Sequence, residues 1–253
     1  PALPARRVPG RKDVMRAGGG GPQKLFKGCG EKMSGRILSL EGLDGSGKTT
    51  QADALCRVLT ERGLPYRRIK FPDYSDPSST LVKMYLAGEL GGHADAVNAY
   101  AASSFYAVDR FASFVRYWQS DYLQGTHMVT DRYVTSNFIY QMPKLPRAEW
   151  ESYICWLQDY EYEKLGLPRP DRVLFFDMPI EVSQELLTKR YEGHEEKKDL
   201  HEKDREYLKK CRECALYTAE RLGWAVINCV ENDHPKTIAS IHGEVLERTS
   251  GLF

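Results

Sequence analysis

The stretch from Gly42 to Thr49, Gly-Leu-Asp-Gly-Ser-Gly-Lys-Thr, fills every fixed position of the spacing G-x-x-x-x-G-K-[ST]. It follows a short apolar run, Arg36 to Glu41, and precedes a helical pattern from Lys48 to about Glu61. Strand, glycine loop and helix in that order make an anion-binding unit. The glycines let backbone N–H groups turn inward on phosphate oxygens, and the helix adds unpaired amides and the positive end of its dipole. In such a unit Lys48 reaches the β- and γ-phosphates and Thr49 offers a hydroxyl to Mg²⁺. A glycine-rich turn with a purely structural role has no need of Lys48 or Thr49. Nucleotide binding is therefore expected, and what accepts the phosphoryl group is left open.

The rest of the chain repeats strand and helix patterns. Tyr66 to Phe71 reads as a second strand ended by Pro72. Residues Ala94 to Gln124 carry apolar side chains at spacings of three and four, among them Val97, Tyr100, Val108, Phe111, Val115 and Trp118, which predicts one long helix. His127 to Asp131 is a third strand and Trp150 to Lys164 a helix, broken by the run Gly166 to Pro170. Arg172 to Asp177 is a fourth strand, nearly continuous in apolar residues as a strand covered on both faces must be. Helices over about 180–190 and 202–222, a fifth strand from Trp224 to Cys229 and a last helix complete the chain. Repeated β–α units of this kind imply a parallel sheet of five strands with helices on both faces, an α/β fold.

Charge divides the chain in two. Residues 1–33 hold eight Lys/Arg against Asp13 and Glu31, and seven of the 21 glycines. This basic segment is expected to be a flexible leader that stands apart from a domain over 34–253. It is Arg-rich and acid-poor like an organellar transit peptide, yet has no Ser before Ser34, so a tail is the plainer reading. Beyond it the balance is acidic, 28 Lys/Arg against 33 Asp/Glu, which disfavours nucleic acid as a partner. No apolar run approaches the roughly 20 residues of a membrane span. Six scattered cysteines without a signal-peptide core read as reduced thiols in a cytoplasmic protein, or an organellar one if the leader is an address. Cys211 and Cys214 share a helical pattern, with no second Cys or His pair at zinc spacing, so helix residues are expected rather than ligands.

Three further motifs stand in a fixed order: Phe71-Pro72 after the second strand, Asp109-Arg110 in the long helix, and Asp131-Arg132-Tyr133 after the third strand. With the glycine loop they resemble the thymidylate kinase family, and the run from Asp131 to Gln141 resembles its DRY-x-x-S-[NS]-x-x-Y-Q stretch throughout. The resemblance covers about Gly35 to Phe253. It implies a P-loop NTPase fold with a helical lid, ATP as donor, dTMP as acceptor, Mg²⁺ as cofactor and a homodimer packed through the long helix. The residues it implies for ATP are Gly42, Gly45, Ser46, Gly47, Lys48, Thr49 and Thr50, with a lid cation from Arg190, Lys197 or Lys198. For the acceptor it implies Tyr106 stacked on thymine, Arg110 donating to a thymine carbonyl and Asn137 on the imide edge. Tyr140 would crowd the sugar 2′ position, Asp44 would accept from the 3′-hydroxyl and Arg132 would hold the phosphate. Phe71, Pro72, Tyr133 and Ser136 complete that pocket, and Asp131 holds Mg²⁺ through water. Lys48, Arg132 and Asp44 form the catalytic group.

Taken singly, Tyr106, Asn137 and Tyr140 are better explained as structural residues, Asp109-Arg110 as a solvated helix pair and Asp131-Arg132 as a strand-end salt bridge. Their order beside a complete glycine loop favours the site. Two departures from the family remain. Asp199-Leu-His-Glu202 stands where many members carry Asp-Arg-x-Glu, and Phe71-Pro72 is followed by Asp73 where many carry an arginine for the acceptor phosphate. Lys83 is expected to supply that missing cation. Another nucleoside or nucleotide kinase on this scaffold, and a nucleotide-binding regulator without catalysis, stay as alternatives.

Overall fold

The computed structural model describes residues 34–91, 96–191 (side chains of 189–191 excepted) and 205–253. The proposed leader over 1–33, Lys197, Lys198 and the departure at Asp199 to Glu202 lie outside the described residues, as does the side chain of Arg190.

Five strands, β1 (Ile37–Gly42), β2 (Tyr66–Lys70), β3 (His127–Asp131), β4 (Arg172–Asp177) and β5 (Ala225–Asn228), form one sheet in the order β2-β3-β1-β4-β5. All neighbours run parallel. The two-residue period of a strand builds a core on each face. Ile37, Met128, Val173 and Phe175 turn one way; Leu38, Leu40, Val129, Leu174 and Phe176 turn the other. The second face is covered by α1 (Lys48–Glu61), through Ala52, Leu55 and Leu59, and by α9 (Ile238–Thr249), through Ile241 and Val245. The first face is covered by α3 (Ala99–Ser113), α5 (Thr135–Tyr140), α6 (Trp150–Gln158) and α8 (Arg205–Leu222). A short α2 (Thr80–Leu86), α4 (Gln119–Leu123), α7 (Ile180–Tyr191) and a two-residue hairpin, β6 (Val230–Glu231) with β7 (His234–Pro235), complete the order. No described helix is long and apolar enough to cross a membrane.

The expected elements form, with corrections at their ends. The long helix does not begin at Ala94: Asn98 caps α3, its side chain accepting from the Ala101 N–H at 2.9 Å, and the first helical residue is Ala99. It is also not uniform. A π turn over Phe114–Trp118 separates α3 from α4 and sets the two aromatic rings edge-to-face at 4.5 Å in the core. The helix expected from Trp150 to Lys164 likewise ends in a π turn, Asp159–Lys164. Cys211 and Cys214 are buried along α8.

This order places the functional loops. From β1 the chain moves to β3 and β2 on one side and to β4 and β5 on the other, so a crevice opens at the carboxyl end between β1 and β3, where open α/β sheets bind ligands. Leu40 stands opposite Asp131 and Lys70 opposite the same residue from the far side. The glycine loop, Asp131-Arg132 and Phe71-Pro72 therefore leave the sheet side by side.

Candidate active site

The glycine loop turns from β1 into α1 with Gly45 and Gly47 both at φ 81°, in the left-handed region. At Gly42 a Cβ would stand 2.5 Å from Ser46 Oγ, and at Gly45 2.6 Å from the Ser183 carbonyl of α7. These glycines let the loop close on itself and seat against α7. Gly47 caps α1 without a side-chain hydrogen bond, and no acidic residue sits in the first turn. The helix start thus keeps its amides and positive potential for an anion.

Lys48 is buried, with its ammonium 3.6 Å from Asp44 Oδ1, and Arg132 Nη2 donates to the same oxygen at 2.7 Å. Burial works to raise the Asp44 pKa, but the charges of Arg132 and Lys48 outweigh it and hold the carboxyl well below its usual range. Burial likewise opposes the charge on Arg132, and Asp44 reverses that, so the guanidinium stays ionised. Its carbon lies 4.8 Å over the Tyr140 ring, a cation–π contact.

Arg132 itself has φ 69°, uncommon for a residue with a Cβ and a cost of about 1–3 kcal/mol unless its surroundings impose it. Glu41 imposes it. This carboxylate, fully buried at the end of β1, accepts from the Tyr133 N–H (3.0 Å), Thr135 Oγ1 (2.5 Å) and Ser136 Oγ (2.7 Å), which together tie down the turn after Arg132. Burial pushes its pKa up against the pull of Arg132 and these donors.

A cleft of about 510 Å³ opens beside this cluster. Its walls contain Asp44, Phe71, Pro72, Tyr106, Arg110, Arg132, Ser136, Asn137 and Tyr140, all of the expected acceptor residues except Lys83 and Tyr133. Tyr133 points into the core, fully buried, with its hydroxyl donating to the Pro168 carbonyl at 2.9 Å; only its backbone serves the site. Lys83 is exposed on α2 and its ammonium donates to the Tyr74 carbonyl at 3.2 Å, outside the cleft wall. The geometry does not carry its expected role. Asp73 in turn accepts from the N–H and hydroxyl of Ser75, shaping its own loop.

Tyr74, Leu86 and Gln141 line the cleft although the motifs did not mark them as site residues. Glu41 and Glu161 were also missed. Glu161 receives two bonds from Arg110, at 2.7 and 2.6 Å, in full burial. Glu41, adjacent to the glycine motif, was findable as a charge inside an apolar strand; Glu161 sits in a run of solvated charges that hid it.

The donor set suits a hydrated divalent cation. Thr49 Oγ1 donates to Asp131 Oδ2 at 3.0 Å, while Asp131 Oδ1 is buried without a hydrogen-bond partner. Ser46 Oγ and Arg132 Nη1 are buried in the same condition. Buried polar atoms are rarely left so unless a ligand meets them. Among the described residues no group of three or more His, Cys, Asp or Glu gathers.

The thymidylate kinase family model matches residues 40–240. A thymidylate kinase of Mycobacterium tuberculosis is 30% identical over 176 residues, 67% of this chain and 79% of that one. A probable thymidylate kinase of Thermococcus onnurineus is 28% identical over 218 residues, 84% of this chain and 100% of its own. The solved thymidylate kinase of Candida albicans, 24% identical, superposes with a TM-score of 0.63 over 85% of this chain and 91% of that one, which speaks for the fold.

Proposed function

The chain belongs to the thymidylate kinase family, and from that premise we propose that it transfers the γ-phosphoryl group of ATP to dTMP, giving ADP and dTDP. The observation that carries the reading is the single cleft in which Arg110 and Asn137 share a wall with Arg132 and Asp44, beside Lys48. A base edge and a monophosphate need those two ends.

The amides from Gly42 to Thr50 and the ammonium of Lys48 hold the ATP phosphates. Thr49, and Asp131 through water, would hold Mg²⁺, which would supply positive charge to the ATP phosphates when bound. Arg132 binds the acceptor phosphate and, with Lys48, surrounds the transferring group with positive charge. Phosphoryl transfer asks mainly for such positioning and electrostatics. Asp44 holds the two cations together and accepts from the sugar 3′-hydroxyl, and Tyr140 limits the 2′ side. Tyr106 supplies a stacking face, Phe71, Pro72 and Ser136 the remaining wall. Arg190, at the end of α7, is the lid cation of this proposal.

We infer as well that the chain pairs as a homodimer through α3. Val108, Phe111 and Val115 follow helical spacing and stand 41%, 40% and 51% exposed, an apolar stripe on the side away from the cleft wall. The leader is proposed to be dispensable for catalysis; a reporter fused behind residues 1–33 distinguishes a cytoplasmic tail from an organellar address.

Coupled ADP release with ATP, Mg²⁺ and a panel of dTMP, dUMP, dCMP, AMP, GMP and thymidine tests the central reading. Preferential turnover of dTMP is expected. Preference for thymidine, or no acceptor-dependent release, would overturn it.

A further inference from the structure

Behind the cleft wall, one buried carboxylate touches both residues that face the base in the reading above, on which this inference rests. Glu161 Oε1 accepts from Arg110 Nη2 at 2.6 Å and from Asn137 Nδ2 at 3.0 Å, while Oε2 accepts from Arg110 Nε at 2.7 Å. Arg110 and Glu161 side chains are 2% and 0% exposed.

The consequence for Asn137 is directional. Its Nδ2 donates to Glu161 and, at 3.3 Å, to the Ser103 carbonyl. Both partners can only accept. Turning the amide over would set its oxygen against a carboxylate and a carbonyl, so the hydrogen-bond network settles which end is which. Asn137 lines the cleft, and with its Nδ2 committed to Glu161 and Ser103 its Oδ1 is the polar atom it can offer there. That oxygen is an acceptor for whatever enters.

Arg110 is held in the complementary sense. Of its five N–H groups, two are taken by Glu161 and one, at 3.4 Å, reaches the Tyr133 carbonyl. The others remain as donors on a residue that also lines the cleft. Because Arg110 and Asn137 meet the same carboxylate oxygen, donor and acceptor stand next to each other. A pyrimidine with a 4-oxo group beside N3–H matches that pair. A 4-amino pyrimidine, with an amino donor beside a bare N3, opposes donor with donor and acceptor with acceptor. A site built on hydrogen bonds rejects such a mismatch strongly, because its own buried groups are left unpaired.

We propose that Glu161 is the positioning residue that sets this polarity and so selects 4-oxo over 4-amino pyrimidine monophosphates. It touches no substrate. Glu161→Gln offers one acceptor oxygen where two are used, and its amide must face an Arg110 or Asn137 donor.

Steady-state kinetics with dTMP and dCMP decide the matter. In Glu161→Gln the KM for dTMP is expected to rise at least tenfold with the KM for ATP within about twofold, and the dTMP-to-dCMP ratio of kcat/KM to fall at least tenfold. Glu161→Asp, which keeps the charge, is expected to recover part of that ratio. A folded Glu161→Gln variant with an unchanged ratio would overturn the inference while leaving dTMP kinase activity standing. Failure of the unmodified chain on dTMP would instead remove the functional reading beneath it. Should Glu161→Gln not fold, nuclear magnetic resonance of the unmodified chain still answers. The Asn137 side-chain amide, assigned by its loss in Asn137→Asp, is expected to stay protected from exchange and nearly unshifted by dTMP; a large shift would put its NH₂ on the base and overturn the polarity.

Discussion

Arg132 occupies a left-handed conformation, pairs with Asp44 and leaves one nitrogen buried without a partner. Every one of those features serves a planar fork aimed at an oxyanion, and a lysine has no fork. Arg132→Lys is expected to lower kcat/KM for dTMP on the order of 10²-fold, the usual effect of removing one electrostatic stabiliser, with KM for ATP little changed. Steady-state kinetics check it. Beneath it Glu41 has the opposite character, a carboxyl whose pKa burial has raised above the ordinary carboxylate range. A group raised on folding contributes stability below its unfolded pKa and loses it as pH climbs through the folded one. Melting temperatures of the unmodified chain and of Glu41→Gln between pH 5 and 8 are therefore expected to shift in favour of the Gln variant as pH rises. Parallel curves would mean that Glu41 titrates as it does in the unfolded chain.

Among elements, the glycine loop seats closely against α7. Gly45→Ala combines a positive φ of 81° with a Cβ 2.6 Å from the Ser183 carbonyl, so either the loop or α7 must shift. A loss of about 1–3 kcal/mol is expected, a fall in Tm of several degrees for a domain of this size, together with weakened ATP binding. Calorimetry and ATP titration read both. Helix α3 has the reverse arrangement, with one face committed and the other unpartnered. Its inner side carries Ala99, Ala102, Ser103, Ala107, Asp109 and Arg110, its outer side the apolar Val108 and Phe111. Val115→Asp, on the outer side of the π turn, is expected to convert a dimer to a monomer in sedimentation while the fold and its Tm are kept. A single species of unchanged mass would place the interface elsewhere.

Across the molecule, the two cores run from Ile37 to Val245, and the family match spans 40–240. Among the described residues, these two cores supply the burial that holds the sheet. A chain beginning at residue 34 is accordingly expected to keep kcat/KM for dTMP within about twofold and Tm within a few degrees. Saturating dTMP should raise the Tm of either form, since a ligand at a hundred times its Kd stabilises by about 2.7 kcal/mol. Thermal shifts with and without dTMP measure it.

Local rules made much of this protein readable from its residues. The glycine loop needs particular residue types at adjacent positions, and parallel strands buried on both faces must be apolar almost throughout, so Lys48, Thr49 and the central strands β1 and β4 announce themselves within a few residues. The order of Phe71-Pro72, Asp109-Arg110 and Asp131-Arg132 made a shared site legible. What tertiary structure alone decided is which side of an element faces in. Periodicity marks a helix over α3 yet says nothing of the outcome here, in which an arginine and an aspartate go inside and a valine–phenylalanine stripe stays out. Glu161, 51 residues further along the chain, is the chief partner that makes Arg110 tolerable in the interior. The same holds for Tyr133, sent to the core by a backbone bond to Glu41, and for Lys83, left outside the cleft by the path of α2. Burying a charge depends on a partner brought in by the fold, and no window of sequence contains that partner.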